Sequence, residues 1–207
     1  MHQNYLVLTP NKIEEYLVGR ENIDNTKGYE LGLALILIKF HSKETGKKLK
    51  VALLAKEPVT EGENLIEVFK DKIKEDHDID IYLIPDDLDL SSKEKHKVSA
   101  FQLKRFFFND GDSSKKLLQY LTEQIPKKYS PGGDGILTLL IKGDISFSKE
   151  DFEEINSAIR SIPKYPFGRV MFITGKDKER IVFGDLFPNW GHKTYSYNEW
   201  FSDEIKN

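Results

Sequence analysis

The chain has 207 residues, with 31 Lys and Arg against 34 Asp and Glu, giving a formal charge of −3. Hydrophobic residues at 39% and aromatics at 12% can fill a core, which excludes wholesale disorder and collagen-like or low-complexity chains. A sum near zero excludes indiscriminate polyanion binding but leaves open a local basic site, because placement of charge decides that.

There is no cysteine, so disulfide scaffolds, zinc fingers, iron–sulfur centres and thiol catalysis fall away. The N-terminal residues lack an apolar stretch of secretory length. The most apolar run, Leu31 to Ile38, has eight residues, against about 20 needed to cross a bilayer. The expectation is a soluble cytoplasmic protein with no membrane partner.

Residues 9–19 place Ile13, Tyr16 and Leu17 at helical spacing, with Thr9 or Asn11 as cap. Residues 29–45 read as the longest helix, apolar on nearly every side and stopped by Gly46. Residues 49–55 form a strand candidate. Residues 61–74 read as an amphipathic helix, with Leu65, Ile66, Phe69 and Ile73 on one face. Strands follow at 79–84, ended by Pro85, and at 98–107, paired as a long-looped hairpin.

A helix starts at Ser113 or Ser114 and ends at Pro126. The glycines at 132, 133 and 135 precede a strand (136–141) rather than a helix, so they read as a turn and not a phosphate cradle. Ser148 and Asp151 form a capping box with Asp in the usual Glu or Gln position. Its helix runs to about Ile162, and strands follow at 169–174 and 180–183. Residues 187–201 read as irregular and aromatic-rich. Their rings can stack bases or anchor an interface, or pack across their own domain. His192 reads as a hydrogen-bonded turn histidine.

Strands interleaved with helices give an α/β class, a three-layer α/β/α arrangement around a mixed central sheet. One domain is expected over 1–207, with its core at about 28–183 and residues 184–207 as a tail packed on it.

Phosphate-loop, dinucleotide-fold, nucleophile-elbow and HExxH signatures are all absent. The informative residues lie on the two central strands. Alternation places Asp80 with Tyr82 and Ile84, and Gln102 with Lys104, Ala100 and Phe106. If the strands pair, an acid, an amide and an amine converge. Charged groups inside apolar strands cost several kcal/mol, of the order expected for buried ions, unless paired or bound.

This pattern resembles the PD-(D/E)XK, or restriction-endonuclease-like, nuclease superfamily in a variant with Gln-x-Lys in place of acid-x-Lys. The resemblance covers roughly residues 28–141. It implies phosphodiester hydrolysis in prokaryotic defence or DNA processing. It also implies Mg²⁺ or Mn²⁺ held by Asp80 and Gln102, with Lys104 orienting water or neutralising phosphorane charge. Glu30 is the candidate second acid, with Glu67 its rival. Nucleic acid, DNA in the first place, is the implied partner, and many such nucleases act as homodimers. Lys97, Arg105, Lys115 and Lys116 stand where phosphates would be held. Set against this is a non-catalytic interaction or nucleic-acid-binding module of the same fold, with Asp80 and Lys104 as a structural ion pair and the lysines a solvated face.

Overall fold

The computed structural model describes residues 4–18, 25–55, 79–87, 99–107, 113–142, 147–175 and 179–202. The expected helix at 61–74, Glu67 and Lys97 lie outside them. Among the described residues the chain is mixed α/β, with eight strands that run both parallel and antiparallel. It divides into two units, Met1–Phe101 and Gln102–Asn207.

In the first unit, β1 (Asn4–Leu8), β2 (Leu49–Ala55), β3 (Ile81–Pro85) and the opening of β4 (Ser99–Phe107) pair antiparallel in chain order. The registers include Val7 with Ala52, Ala52 with Tyr82 and Ile81 with Phe101. β1 extends the fold beyond the sequence expectation, which left residues 4–8 without a strand.

Helix α1 (Pro10–Val18) begins where its chemistry directs. The Thr9 hydroxyl accepts from the Lys12 N–H at 3.4 Å, and Pro10 fills the first helical position, where a missing N–H costs nothing. Helix α2 (Asn25–Thr45) buries Leu31, Leu33, Ala34, Leu37, Ile38 and Phe40, which together span half its circumference. It ends at Gly46, whose φ of 68° is cheap only without a Cβ. The Gly46 N–H reaches the Ser42 carbonyl at 2.8 Å, a left-handed cap. The His41 ring lies 5.4 Å from that of Phe101, so α2 covers the Phe101 face of the β3–β4 pair.

In the second unit β5 (Ile136–Lys142) and β6 (Arg169–Gly175) run parallel, joined through α5 (Lys149–Arg160). β7 (Arg180–Phe187) and β8 (Gly191–Ser196) add antiparallel. One core gathers Leu117, Leu121 and Ile125 from the first helical stretch with Leu137, Leu139 and Ile141 from β5. Ile155 and Ile159 from α5 complete it. The predicted capping box is present: the Asp151 carboxylate accepts from the Ser148 N–H at 2.8 Å, and the Ser148 hydroxyl accepts from the Asp151 N–H at 3.2 Å.

Two expectations are corrected here. Residues beyond 187 are not irregular: β8 pairs with β7, and α6 (Tyr197–Ser202) carries Trp200 to 0% exposure against Phe183 and Tyr195, at 4.7 and 5.0 Å. Pro126 does not end its helix. α3 (Ser113–Gln119) passes through a π-turn (Tyr120–Gln124) into α4 (Ile125–Lys128), with Pro126 inside the run.

The π-turn is what accommodates the proline. The Ile125 N–H reaches back to the Tyr120 carbonyl instead of that of Leu121. Residue 126, the next donor in π register, is a proline and has no N–H. The Leu121 carbonyl therefore loses both helical partners. The Tyr165 hydroxyl, 44 residues on, donates to it at 3.0 Å.

Candidate functional site

β3 begins at Ile81, so Asp80 lies one residue ahead of it, half-buried. The sequence pattern places it within the strand, facing with Tyr82 and Ile84. Pairing starts at Ile81 with Phe101, and alternation therefore stops short of fixing the Asp80 side chain. Its backbone N–H donates to the Phe101 carbonyl at 2.9 Å. The residue that follows Phe101 along β4 is Gln102.

Within the second unit, β4 carries Gln102 at 2% exposure, Lys104 half-buried and Arg105 exposed. Phe106 packs against the unit's core and lies 5.0 Å from the Tyr120 ring. Gln102 and Lys104 precede Phe106 at alternate positions of one strand, so they share the face that turns toward α3 and the π-turn. Asp80, Gln102, Lys104, Glu30 and Arg105 each interact with other groups, which offsets the cost of charge and amide among apolar neighbours.

Glu30 sits half-buried on α2, the helix that covers the Phe101 face. Lys115 and Lys116 are exposed on α3, and Lys127 and Lys128 on α4. Lys116 stands one helical turn before Tyr120. Burial raises the Tyr120 phenol above its ordinary pKa. Sequence reasoning missed Tyr120. Its position follows from the π-turn, which no local pattern announces.

Among the described residues, no group of three or more His, Asp and Glu side chains gathers as a metal cage. The donors that the sequence pattern nominates are one carboxylate and one amide oxygen. Mg²⁺ often takes only one or two protein carboxylates and fills its octahedron with phosphate oxygens and waters. Asp80 and Gln102 fit that chemistry in kind.

A second cluster went unread in the sequence. The β7–β8 connection is clamped by α5. Asn156, 7% exposed, donates from Nδ2 to the carbonyls of Leu186 at 2.6 Å and Pro188 at 3.0 Å. Arg160 donates from Nε to the Asn156 side-chain oxygen at 2.9 Å and from Nη2 to the Pro188 carbonyl. Nearby, Arg169 grips Asp185 through two bonds of 2.6 and 2.9 Å. The only early signal was the aromatic content of the tail.

No family model, no curated protein and no solved structure matches the chain.

Proposed function

We propose that the chain is a metal-dependent nuclease with a restriction-endonuclease-like, three-layer core, acting on DNA in the cytoplasm. The observation that carries the reading is the shared face of Gln102 and Lys104 on β4, next in sequence to the carbonyl that receives the Asp80 N–H. Asp80 and the Gln102 carbonyl would hold Mg²⁺ or Mn²⁺. When bound, the ion supplies charge neutralisation at the phosphate and a water of lowered pKa. Lys104 orients the attacking water and stabilises negative charge as it develops on the phosphate. Glu30 is the candidate second acid. Lys115 and Lys116, with Arg105, supply electrostatic attraction to the phosphate backbone, which adding salt weakens.

The burial of Gln102 favours a second reading. An amide at 2% exposure has little room to share with a hydrated ion. In that reading Asp80 and Lys104 form an ion pair of a non-catalytic binding module.

A cleavage assay on DNA and RNA with Mg²⁺ or Mn²⁺ separates the two. The nuclease reading expects losses of about 10²–10³-fold for Asp80→Ala and Lys104→Ala, the scale of removing one charge-stabilising group. Equal cleavage by wild type and both variants marks a contaminant and defeats it. The ion-pair reading expects no cleavage, with both variants less stable than wild type.

A further inference from the structure

The clamped β7–β8 connection presents an aromatic surface that its structural role does not require. The connection has three residues, 188–190, between Phe187 and Gly191. Hairpin connections of that length ordinarily need no buried side chain to hold them. Here a buried Asn and an Arg hold the Pro188 carbonyl, and the Asn also holds that of Leu186 near the end of β7. Two residues beyond the held Pro188 carbonyl stands Trp190, half-exposed. Its ring lies nearly parallel to that of Phe152, at 5° and 6.0 Å, and Phe152 stacks in turn on buried Phe172 at 5.8 Å. A column of rings thus runs from the core to the surface and ends in the Trp190 indole. Aromatic side chains have few rotatable bonds and lose little entropy on binding.

The surroundings indicate the sign of the ligand. The Lys149 ammonium sits 6.0 Å from the Trp190 ring centroid. The same ammonium lies 3.5 Å from the Glu153 carboxylate, and both side chains are well exposed, at 66% and 50%. An indole face and a carboxylate together make a cation site, and the protein's own lysine occupies it. Glu150 and Glu154, also exposed on α5, add negative potential around it. The Arg160 cation is committed to the Pro188 carbonyl and the Asn156 side-chain oxygen.

We propose that Trp190, Phe152 and Glu153 form a docking site for an Arg or Lys side chain of a basic segment in a partner protein, which displaces Lys149. The indole face receives the cation and Glu153 pairs with it. Lys149 acts as an internal competitor, so its loss improves binding. This site stands apart from the nuclease reading and does not depend on it.

The test is fluorescence anisotropy of a labelled hexa-arginine peptide against the full chain. Trp190→Leu is expected to weaken binding about tenfold, on the scale of a partly desolvated cation–π contact. Glu153→Gln is expected to weaken it several-fold. Lys149→Met is expected to strengthen it several-fold. Lys12→Met, an equal loss of charge at exposed Lys12 on α1, serves as the control for general electrostatics. Because Lys149 is exposed, its variant keeps the question answerable even if Trp190→Leu fails to fold. Three results each overturn the proposal: Trp190→Leu that folds and binds like wild type, Lys149→Met that binds no tighter than Lys12→Met, or a labelled oligothymidylate that binds in a Trp190-dependent manner while the peptide does not.

Discussion

The Leu121 carbonyl gives the sharpest test of how this helix tolerates a proline. Leu121 is 0% exposed and Tyr165 is 5% exposed, so neither polar group has water to fall back on. Tyr165→Phe keeps the ring but leaves that carbonyl without its donor. An unsatisfied buried acceptor costs about 1–3 kcal/mol. For a chain of this size each kcal/mol lowers the melting temperature by roughly 2–4 °C. Pro126→Ala changes the outcome, because the introduced alanine brings an N–H that reaches Leu121 in π register. If the turn relaxes to α geometry, the Ile125 N–H reaches it instead. Either way, Tyr165→Phe in the Pro126→Ala background is expected to cost under about 1 kcal/mol, so the two positions couple. Urea unfolding followed by tryptophan fluorescence reads this directly, since both tryptophans, Trp190 and Trp200, lie in the second unit. Equal costs in the two backgrounds, within about 0.5 kcal/mol, would refute the account. A pH arm adds a second check. Burial, and then the neighbouring Tyr120, raise the Tyr165 pKa. The folded state therefore holds this proton more tightly than the unfolded chain. Its contribution is complete below the ordinary tyrosine value near 10 and is lost as pH rises above it. Tyr165→Phe is expected to flatten that part of the alkaline stability curve.

Three further outcomes are expected. A Cβ on Gly184 would lie 2.1 and 2.2 Å from the Phe172 ring, so Gly184→Ala is expected to destabilise by about 1–3 kcal/mol in urea titrations; an unchanged midpoint would show that the ring moves freely. Thr138, at 0% exposure, has a hydroxyl with no hydrogen-bond partner among the described residues, so Thr138→Val is expected to be neutral or stabilising in the same titrations, and a loss above about 1 kcal/mol would reveal a partner. The Ser148 backbone N–H, followed by the Ser114 and Ser148 hydroxyls, holds the Asp151 carboxyl below its ordinary pKa of 3.8, so its contribution is present above that value and lost as pH falls through it toward the lowered one. Protection of the α5 amides, taken relative to the intrinsic exchange rate at each pH, should therefore fall in acid, and Asp151→Asn should remove that dependence.

Features written in neighbouring residues could be read from the sequence. The Thr9–Pro10 start of α1, the Gly46 stop of α2 and the Ser148–Asp151 box each depend on groups within four residues of one another. Features completed by distant partners were hidden. Residues 4–8 become a strand only because β2 pairs with them. In β8, His192, Lys193 and Thr194 are exposed and offer no apolar alternation, so its strand identity comes from β7. Pro126 follows the rule for helix breakers until a π-turn and a tyrosine from beyond β5 override it.

The same division runs through the candidate site. Alternation along β4 depends on one strand's own geometry, so the shared face of Gln102 and Lys104 was legible. Asp80 lies where a strand begins, and strand ends are set by pairing. The two-residue difference between Ile79 and Ile81 as the start removes it from the alternation that had fixed its side. A charge inside an apolar run requires compensation, and these residues do engage other groups. That requirement is met equally by an ion pair and by a metal site. The physical argument which drew attention to Asp80 and Lys104 therefore constrains where they lie more tightly than what they do. Cleavage by the wild type and its loss in the two alanine variants supply the constraint that burial energetics cannot.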